Sequence, residues 1–280
     1  MLKKKDVTIS PELLKKSSSR ETELNDPRML CENLSFAGAE AYKMLRTNLL
    51  FSLPDEQKCR VIGITSSVSG EGKSTTAINM AYTFAQTGKN VLLLEADMRR
   101  PNIARKLQLK STPGLSNLLA GLSDAVIQQS RQLSNLYVIS AGDIPPNPSE
   151  MLGSNRMKSC IETLSQRFDF IFVDLPPVNI VTDALSLCRV VDGFVFVVRQ
   201  DYSTRAGIRD AIRQLDIVDA KVLGFVMNSS GGKDKSYRYG KYGKYGKYGK
   251  NYNNYYETSP SNKTTKIHIE KAVKEDERNA

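Results

Sequence analysis

The sequence is poor in the residues that build metal centres and covalent active sites. Its one histidine, His268, sits in a polar stretch, and its four cysteines, Cys31, Cys59, Cys160 and Cys188, are isolated, with no C-x-x-C pair. That scarcity argues against a metal cluster, a disulfide framework and a Ser-His-Asp triad. Single cysteines more commonly serve as small buried hydrophobes. No apolar run approaches the roughly 18 to 20 residues that span a bilayer, and the opening M-L-K-K-K-D lacks an apolar signal segment. We therefore expect a cytoplasmic chain with no membrane span of its own.

What remains is ordinary for a globular protein, with 280 residues, 40% apolar and 25% charged, enough for a sizeable core. The net charge of +10 is unevenly spread. Residues 229–280 hold 12 Lys and Arg against 6 Asp and Glu, so this segment carries +6, whereas residues 1–33 hold 7 against 6.

Residues 65–76 read T-S-S-V-S-G-E-G-K-S-T-T and follow the apolar run V-I-G-I. A β-branched strand, a loop of small residues, then Lys-Ser-Thr and an apolar-periodic helix is the order of a phosphate-binding P-loop. Ser67 stands where the motif's first glycine would be. Gly70 and Gly72 let the backbone curl so that successive N–H groups face one concavity, and the helix start adds its positive end. The expected nucleotide contacts are Ser69, Gly70, Glu71, Gly72, Lys73, Ser74 and Thr75. In this scheme Lys73 reaches the β- and γ-phosphates, and the Ser74 hydroxyl ligates Mg²⁺.

Apolar strands at 61–65, 91–95, 136–140, 170–174, 193–198 and 221–227 alternate with helical segments. They imply an α/β fold with a doubly wound, mostly parallel sheet covered on both faces. Ligands in such sheets lie beyond the carboxyl ends of the strands, where the P-loop, Asp97, Asp174 and Asn228 all fall. Glu95 and Asp97, two positions apart in L-E-A-D-M-R-R-P, supply paired acids suited to Mg²⁺ and to accepting a proton. Asp174 ends F-I-F-V-D as a Walker B acid does. Asn228 is either a contact for adenine, as similar residues are in related folds, or a strand-end turn residue. Arg99 and Arg100 suit phosphate or a partner equally.

Before the P-loop, residues 1–33 read as a loosely ordered arm with a short helix at 10–16, and residues 39–51 as a helix. On that helix Glu40, Lys43 and Arg46 form a charged stripe, either a solvated face or an intersubunit contact. Residues 34–230 form the expected catalytic domain. Residues 231–280, with repeated K-Y-G, form an expected mobile tail that holds eight of the twelve tyrosines: Tyr237, Tyr239, Tyr242, Tyr245, Tyr248, Tyr252, Tyr255 and Tyr256. Composition alone would suit a basic-aromatic arm for nucleic acid, and the P-loop with its acids turns the reading toward an ATP-using enzyme.

Residues 40–52, the P-loop, residues 95–101, N-P-S-E-M-L-G-S from Asn147, residues 174–177, Thr182-Asp183-Ala184 and the tyrosine-rich tail together resemble the bacterial tyrosine kinases. The resemblance is closest to the separate cytoplasmic kinase subunit of Gram-positive capsule and exopolysaccharide systems. It implies that Lys73 and Ser74 bind ATP and Mg²⁺, that Glu95 and Asp174 assist the metal, and that Asp97 accepts the tyrosine proton. The tail tyrosines become autophosphorylation sites, and Glu40, Lys43 and Arg46 take the place of an oligomerisation motif Glu-x-x-Arg-x-x-Arg that builds a ring. Two positions depart from the family pattern: Glu95 stands where aspartate is usual, and Lys43 cannot form arginine's bidentate fork. Implied partners are a membrane-bound activator that holds the kinase at the plasma membrane and a tyrosine phosphatase; no nucleic acid is expected. Partitioning and cell-division ATPases share the pattern but carry a signature lysine where this chain has Val68. At about −1.5 to −2 per phosphotyrosine, eight would take the tail from +6 to about −6 to −10. A charge switch follows, in which unmodified tails permit kinase association and modification loosens it.

Overall fold

In the computed structural model the described residues are 31–53 and 59–228. Of the expected arm at 1–33 only residues 31–33 are described; its helix at 10–16 and the tail with its eight tyrosines lie outside the described residues. A 3-10 turn, Cys31–Asn33, leads into α1, Phe36–Ser52, whose first turn is capped by Ser35: its Oγ accepts the Gly38 N–H at 3.2 Å. The expected helix thus begins three residues earlier than its apolar spacing suggested.

Seven strands follow in the order β3-β4-β2-β5-β1-β6-β7. They are β1 Arg60–Ser66, β2 Val91–Glu95, β3 Ile127–Gln129, β4 Leu136–Ile139, β5 Phe170–Asp174, β6 Gly193–Arg199 and β7 Val222–Asn228. All pairings are parallel except β3 with β4, which is antiparallel. Between them run α2 Lys73–Ala85, α3 Ile103–Leu107, α4 Leu115–Ala120, α5 Pro148–Leu152, α6 Asn155–Ser165, α7 Asp183–Ser186 and α8 Arg205–Ile217.

Because side chains alternate across a strand, each apolar run feeds two cores. Ile62, Ile64, Leu93, Phe170 and Phe172 pack with α2 on one face, while Leu92, Leu94, Ile171 and Val173 pack with residues of α4, α6 and α8 on the other. Phe84 of α2 wedges against Phe170 and Phe172, with ring centroids 4.5 and 5.0 Å apart. At the margin, β7 is only half covered, with Phe225 57% and Met227 71% exposed, so the expectation of two covered faces fails there. Strand β3 went unread because three residues, I-Q-Q, carry too little alternation to register.

Burial raises the thiol of Cys160 to about 12 and that of Cys59 to about 11, which keeps both protonated as core hydrophobes. Among the described residues no helix is long and apolar enough to cross a membrane. The chain leaves β1 toward β2 on one side and later reaches β6 on the other, so a crevice opens at the carboxyl ends of β1, β2 and β5. Replacing Phe84 by alanine is expected to cost about 3 to 5 kcal/mol by opening a cavity against β5, read as a lower urea midpoint with an unchanged slope.

Candidate active site

The phosphate loop leaves β1 at Ser66 and enters α2 at Lys73. Gly70 and Gly72 hold left-handed φ values of 86° and 97°, the conformation glycine adopts without a steric penalty. At Gly72 a Cβ would lie 2.0 Å from Asn228 Nδ2, so any other residue there would also displace the Asn228 amide. Glu71 folds its carboxylate back into the loop, where it is fully buried and accepts hydrogen bonds from Ser67 Oγ at 2.7 Å and the Val68 N–H at 2.8 Å. Asn228 donates from Nδ2 to the Glu71 carbonyl at 3.1 Å. Its amide therefore holds the loop, a role the sequence did not suggest. Thr75 accepts from Lys106 Nζ at 3.2 Å on the first turn of α2.

Lys73, 7% exposed, turns into the crevice. Its Nζ is 2.7 Å from Asp97 Oδ2, 3.7 Å from Asp174 Oδ1 and 3.5 Å from Ser74 Oγ. Burial alone would lower the ammonium pKa, but the carboxylates of Asp174 and Asp97 outweigh it and hold Lys73 protonated. Asp97 is fixed on its other side by the Arg100 N–H, 3.1 Å from Oδ1. Asp174 is fully buried and neither of its oxygens has a hydrogen-bond partner. Burial pushes its pKa up, against the pull of the Lys73 charge.

Glu95 is the Cα partner of Asp174 on the neighbouring strand, so the structure brings it to the same crevice. Its carboxylate is nonetheless spent on backbone. Oε1 accepts from the N–H groups of Asn102 at 2.5 Å and Ile103 at 2.7 Å, and Oε2 from that of Ala141 at 3.2 Å. The expectation of Glu95 as a metal ligand meets this competition: three amides, from the start of α3 and from just beyond β4, take three of the carboxylate's roughly four acceptor positions. Burial raises its pKa overall, with the amides of Ile103 and Asn102 opposing.

Residues 59–225 match the family model for an AAA domain. Over 205 residues the chain is 39% identical to tyrosine-protein kinase YwqD of Bacillus subtilis, covering 72% of this chain and 85% of that one. Over 210 residues it is 34% identical to tyrosine-protein kinase CpsD of Streptococcus agalactiae, covering 72% and 90%. The chain belongs to the bacterial tyrosine kinases. Among solved structures, the kinase domain of Escherichia coli tyrosine kinase ETK superposes with a TM-score of 0.70 at 27% identity, over 81% of this chain and 90% of that one.

In this kinase, scattered motifs converge around Arg99. Its Nε and Nη2 donate to the two oxygens of buried Asp183 at 2.9 and 3.1 Å, and Nη2 also reaches Ser149 Oγ at 3.3 Å. Ser149 closes the triangle by donating to Asp183. The segment after β2 is thereby tied to N-P-S-E and T-D-A, whose common purpose the sequence could not reveal. Of the two arginines left open, both keep exposed side chains, but Arg99 is held by Asp183 and Ser149 while Arg100 orients Asp97 through its backbone N–H.

On α1, Glu40 and Lys43 pair with each other at 2.7 Å on an exposed face, and Arg46 Nη1 donates to the Thr83 carbonyl near the end of α2 at 2.6 Å. Two of the three stripe residues are thus at the surface, while the third binds within its own subunit. Sequence reasoning missed Arg199, Tyr202 and Ser203, which also reach the phosphate loop. Arg199 ends β6 at the crevice side, the same position that flagged Asp174 and Asn228.

The donor set suits Mg²⁺. Ser74 offers a hydroxyl, Asp174 two unpartnered buried oxygens, and one ammonium faces three carboxylates, so the pocket favours added positive charge. Among the described residues no three His, Cys, Asp or Glu side chains form a metal-holding group, so phosphate and water oxygens would complete the shell. Asp174→Asn is expected to abolish tyrosine labelling yet raise stability at neutral pH, on the order of 1 kcal/mol, because it removes a buried charge that lacks hydrogen bonds from a net-negative pocket in which Lys73 keeps Asp97 as its closer partner. Since the folded-state pKa lies above the ordinary value, the gain should grow as pH rises through that interval and vanish in acid, as measured by urea melts at several pH values.

Proposed function

We propose that this kinase transfers the γ-phosphoryl group of Mg-ATP to tail tyrosines of a neighbouring subunit and thereby regulates capsule or exopolysaccharide synthesis. The observation that carries the reading is the Lys73–Asp97–Asp174 cluster at the mouth of the phosphate loop. The N–H groups of residues 69–75 cradle the phosphates at the positive end of α2. Lys73, a mobile point charge, leaves Asp97 for the β- and γ-oxygens. Ser74 and Asp174 would hold Mg²⁺, which would neutralise charge spread over the transferring group.

Released from Lys73, Asp97 stands within reach of a phenol and takes its proton as the tyrosine oxygen attacks in line. The new bond joins that oxygen to the γ-phosphorus, the bond to the β-bridging oxygen breaks, and ADP departs. Catalysis comes from positioning and charge neutralisation. Glu95 serves this chemistry indirectly by pinning α3, whose preceding Asn102 donates from Nδ2 to Ser74 Oγ at 3.3 Å.

A flexible segment of about 25 residues reaches roughly 25 to 30 Å, the span by which a tail tyrosine would enter an adjacent site. A ring in which Glu40 and Lys43 meet a neighbour would bring such sites together. A membrane-bound activator would hold the kinase at the inner face of the plasma membrane, and a phosphatase would reset the tail.

Incubated with Mg-ATP, wild type should accumulate tail phosphotyrosine by mass spectrometry and Lys73→Met none. Asp97→Asn should bind nucleotide but turn over about 10²- to 10⁴-fold more slowly. When Lys73→Met protein with an intact tail is mixed with an active kinase whose eight tail tyrosines are Phe, label on the former establishes transfer between subunits. Its absence, with wild type labelling itself, confines the reaction to one chain. Unmodified and modified wild type compared by sedimentation should show assembly loosening with ATP, and the all-Phe tail should not.

A further inference from the structure

A phosphate loop binds through N–H groups turned inward, so its carbonyls turn outward and need partners of their own. In a trans peptide the carbonyl of one residue and the N–H of the next point in opposite directions. Whatever fixes the carbonyls of Ser69, Gly70 and Glu71 therefore aims the N–H groups of Gly70, Glu71 and Gly72.

All three carbonyls are held from the same side of the crevice. Tyr202 donates from its hydroxyl to the Ser69 carbonyl at 3.0 Å, and Arg199 Nη1 to the Gly70 carbonyl at 3.0 Å. Asn228 holds the third, and the Arg199 guanidinium lies 4.8 Å over the Tyr202 ring, joining two of the contacts into one unit. Ser203 adds a fourth point. Its Oγ donates to the buried carboxylate of Glu71 and accepts the Arg199 N–H at 2.8 Å.

Between them Asp201 adopts a left-handed φ of 58°, a conformation uncommon outside glycine, which turns the chain back toward the loop. Without Ser203, Glu71 keeps only the Ser67 and Val68 donors, and a buried carboxylate short of a donor is costly.

We propose that the turn between β6 and α8, with Asn228, is a clasp that sets nucleotide affinity by orienting three consecutive N–H groups. Arg199, Tyr202, Ser203 and Asn228 are its positioning residues. The hydrogen bonds of the clasp go to the phosphate loop and leave Asp97 untouched, so its effect falls on nucleotide binding. This rests on the nucleotide reading proposed above.

The test is binding of a fluorescent, mant-labelled ADP with Mg²⁺, alongside steady-state tyrosine phosphorylation, in full-length protein. Loss of one charge-assisted hydrogen bond in Ser203→Ala should raise Kd and the KM for ATP about tenfold, with kcat within about twofold. Ser203→Thr, which keeps the hydroxyl, should restore both. Tyr202→Phe, which keeps the ring over Arg199, should raise Kd about threefold, and hydrogen exchange should quicken at residues 67–72 alone. Unchanged Kd in both variants, a fall in kcat at constant KM, or failure of Ser203→Thr to rescue would overturn the clasp. Wild type that binds the probe but labels no tyrosine would sink the kinase mechanism and leave the clasp to be judged on Kd. Wild type that binds no nucleotide would overturn both.

Discussion

One ammonium and three carboxylates share a crevice almost closed to water, and this crowded, net-negative pocket constrains everything around it. Lys73, Asp97, Asp174 and Glu95 are each under 9% exposed. Buried charges are tolerated only when paired or hydrogen-bonded. Three of them have two or more such contacts: Lys73 with two acids, Asp97 with Lys73 and a backbone amide, Glu95 with three amides. Asp174 has the least, a 3.7 Å ion pair with Lys73 and no hydrogen bond, and its unmet oxygens mark where the pocket departs from its own most stable arrangement. Stability given up at such a point is a common accompaniment of function.

That pocket can exist only because the sheet delivers its members to one edge. Strand β1 runs between β5 and β6, which puts the phosphate loop beside Asp174, and β2 pairs with β5 so that Glu95 and Asp174 face each other in register. The segment after β2 would otherwise be a free loop carrying Asp97. Arg99, clamped to Asp183 and Ser149, removes that freedom, and the Arg100 amide completes the orientation of Asp97.

Much of this architecture could be read from the residues in order. The phosphate loop is a local pattern whose glycines and Lys-Ser pair have few alternative uses, and strands such as V-L-L-L-E are apolar on both faces because both are covered. What escaped was whatever depends on distant parts of the chain. Arg199 meets Gly70 across 129 residues and Asn228 meets Glu71 across 157, with no spacing rule to connect them. Edge and centre also look alike in sequence: V-L-G-F-V-M reads as a buried strand, yet β7 borders the sheet. Glu95 was legible as an acid at a strand end, but the amides that consume it belong to residues 102, 103 and 141.

Glu95 also shows how a charge can act at a distance while its carboxylate binds backbone. Its side chain is one methylene longer than aspartate's, and it spans from β2 to both the start of α3 and the loop beyond β4, binding three segments into one wall. Its charge is still felt at Lys73, where it helps keep the ammonium protonated. The pocket thus has two kinds of anion: one fixed in the wall that shapes the electric potential, and one whose oxygens remain open to a ligand. Exchanging their roles would require rebuilding the wall.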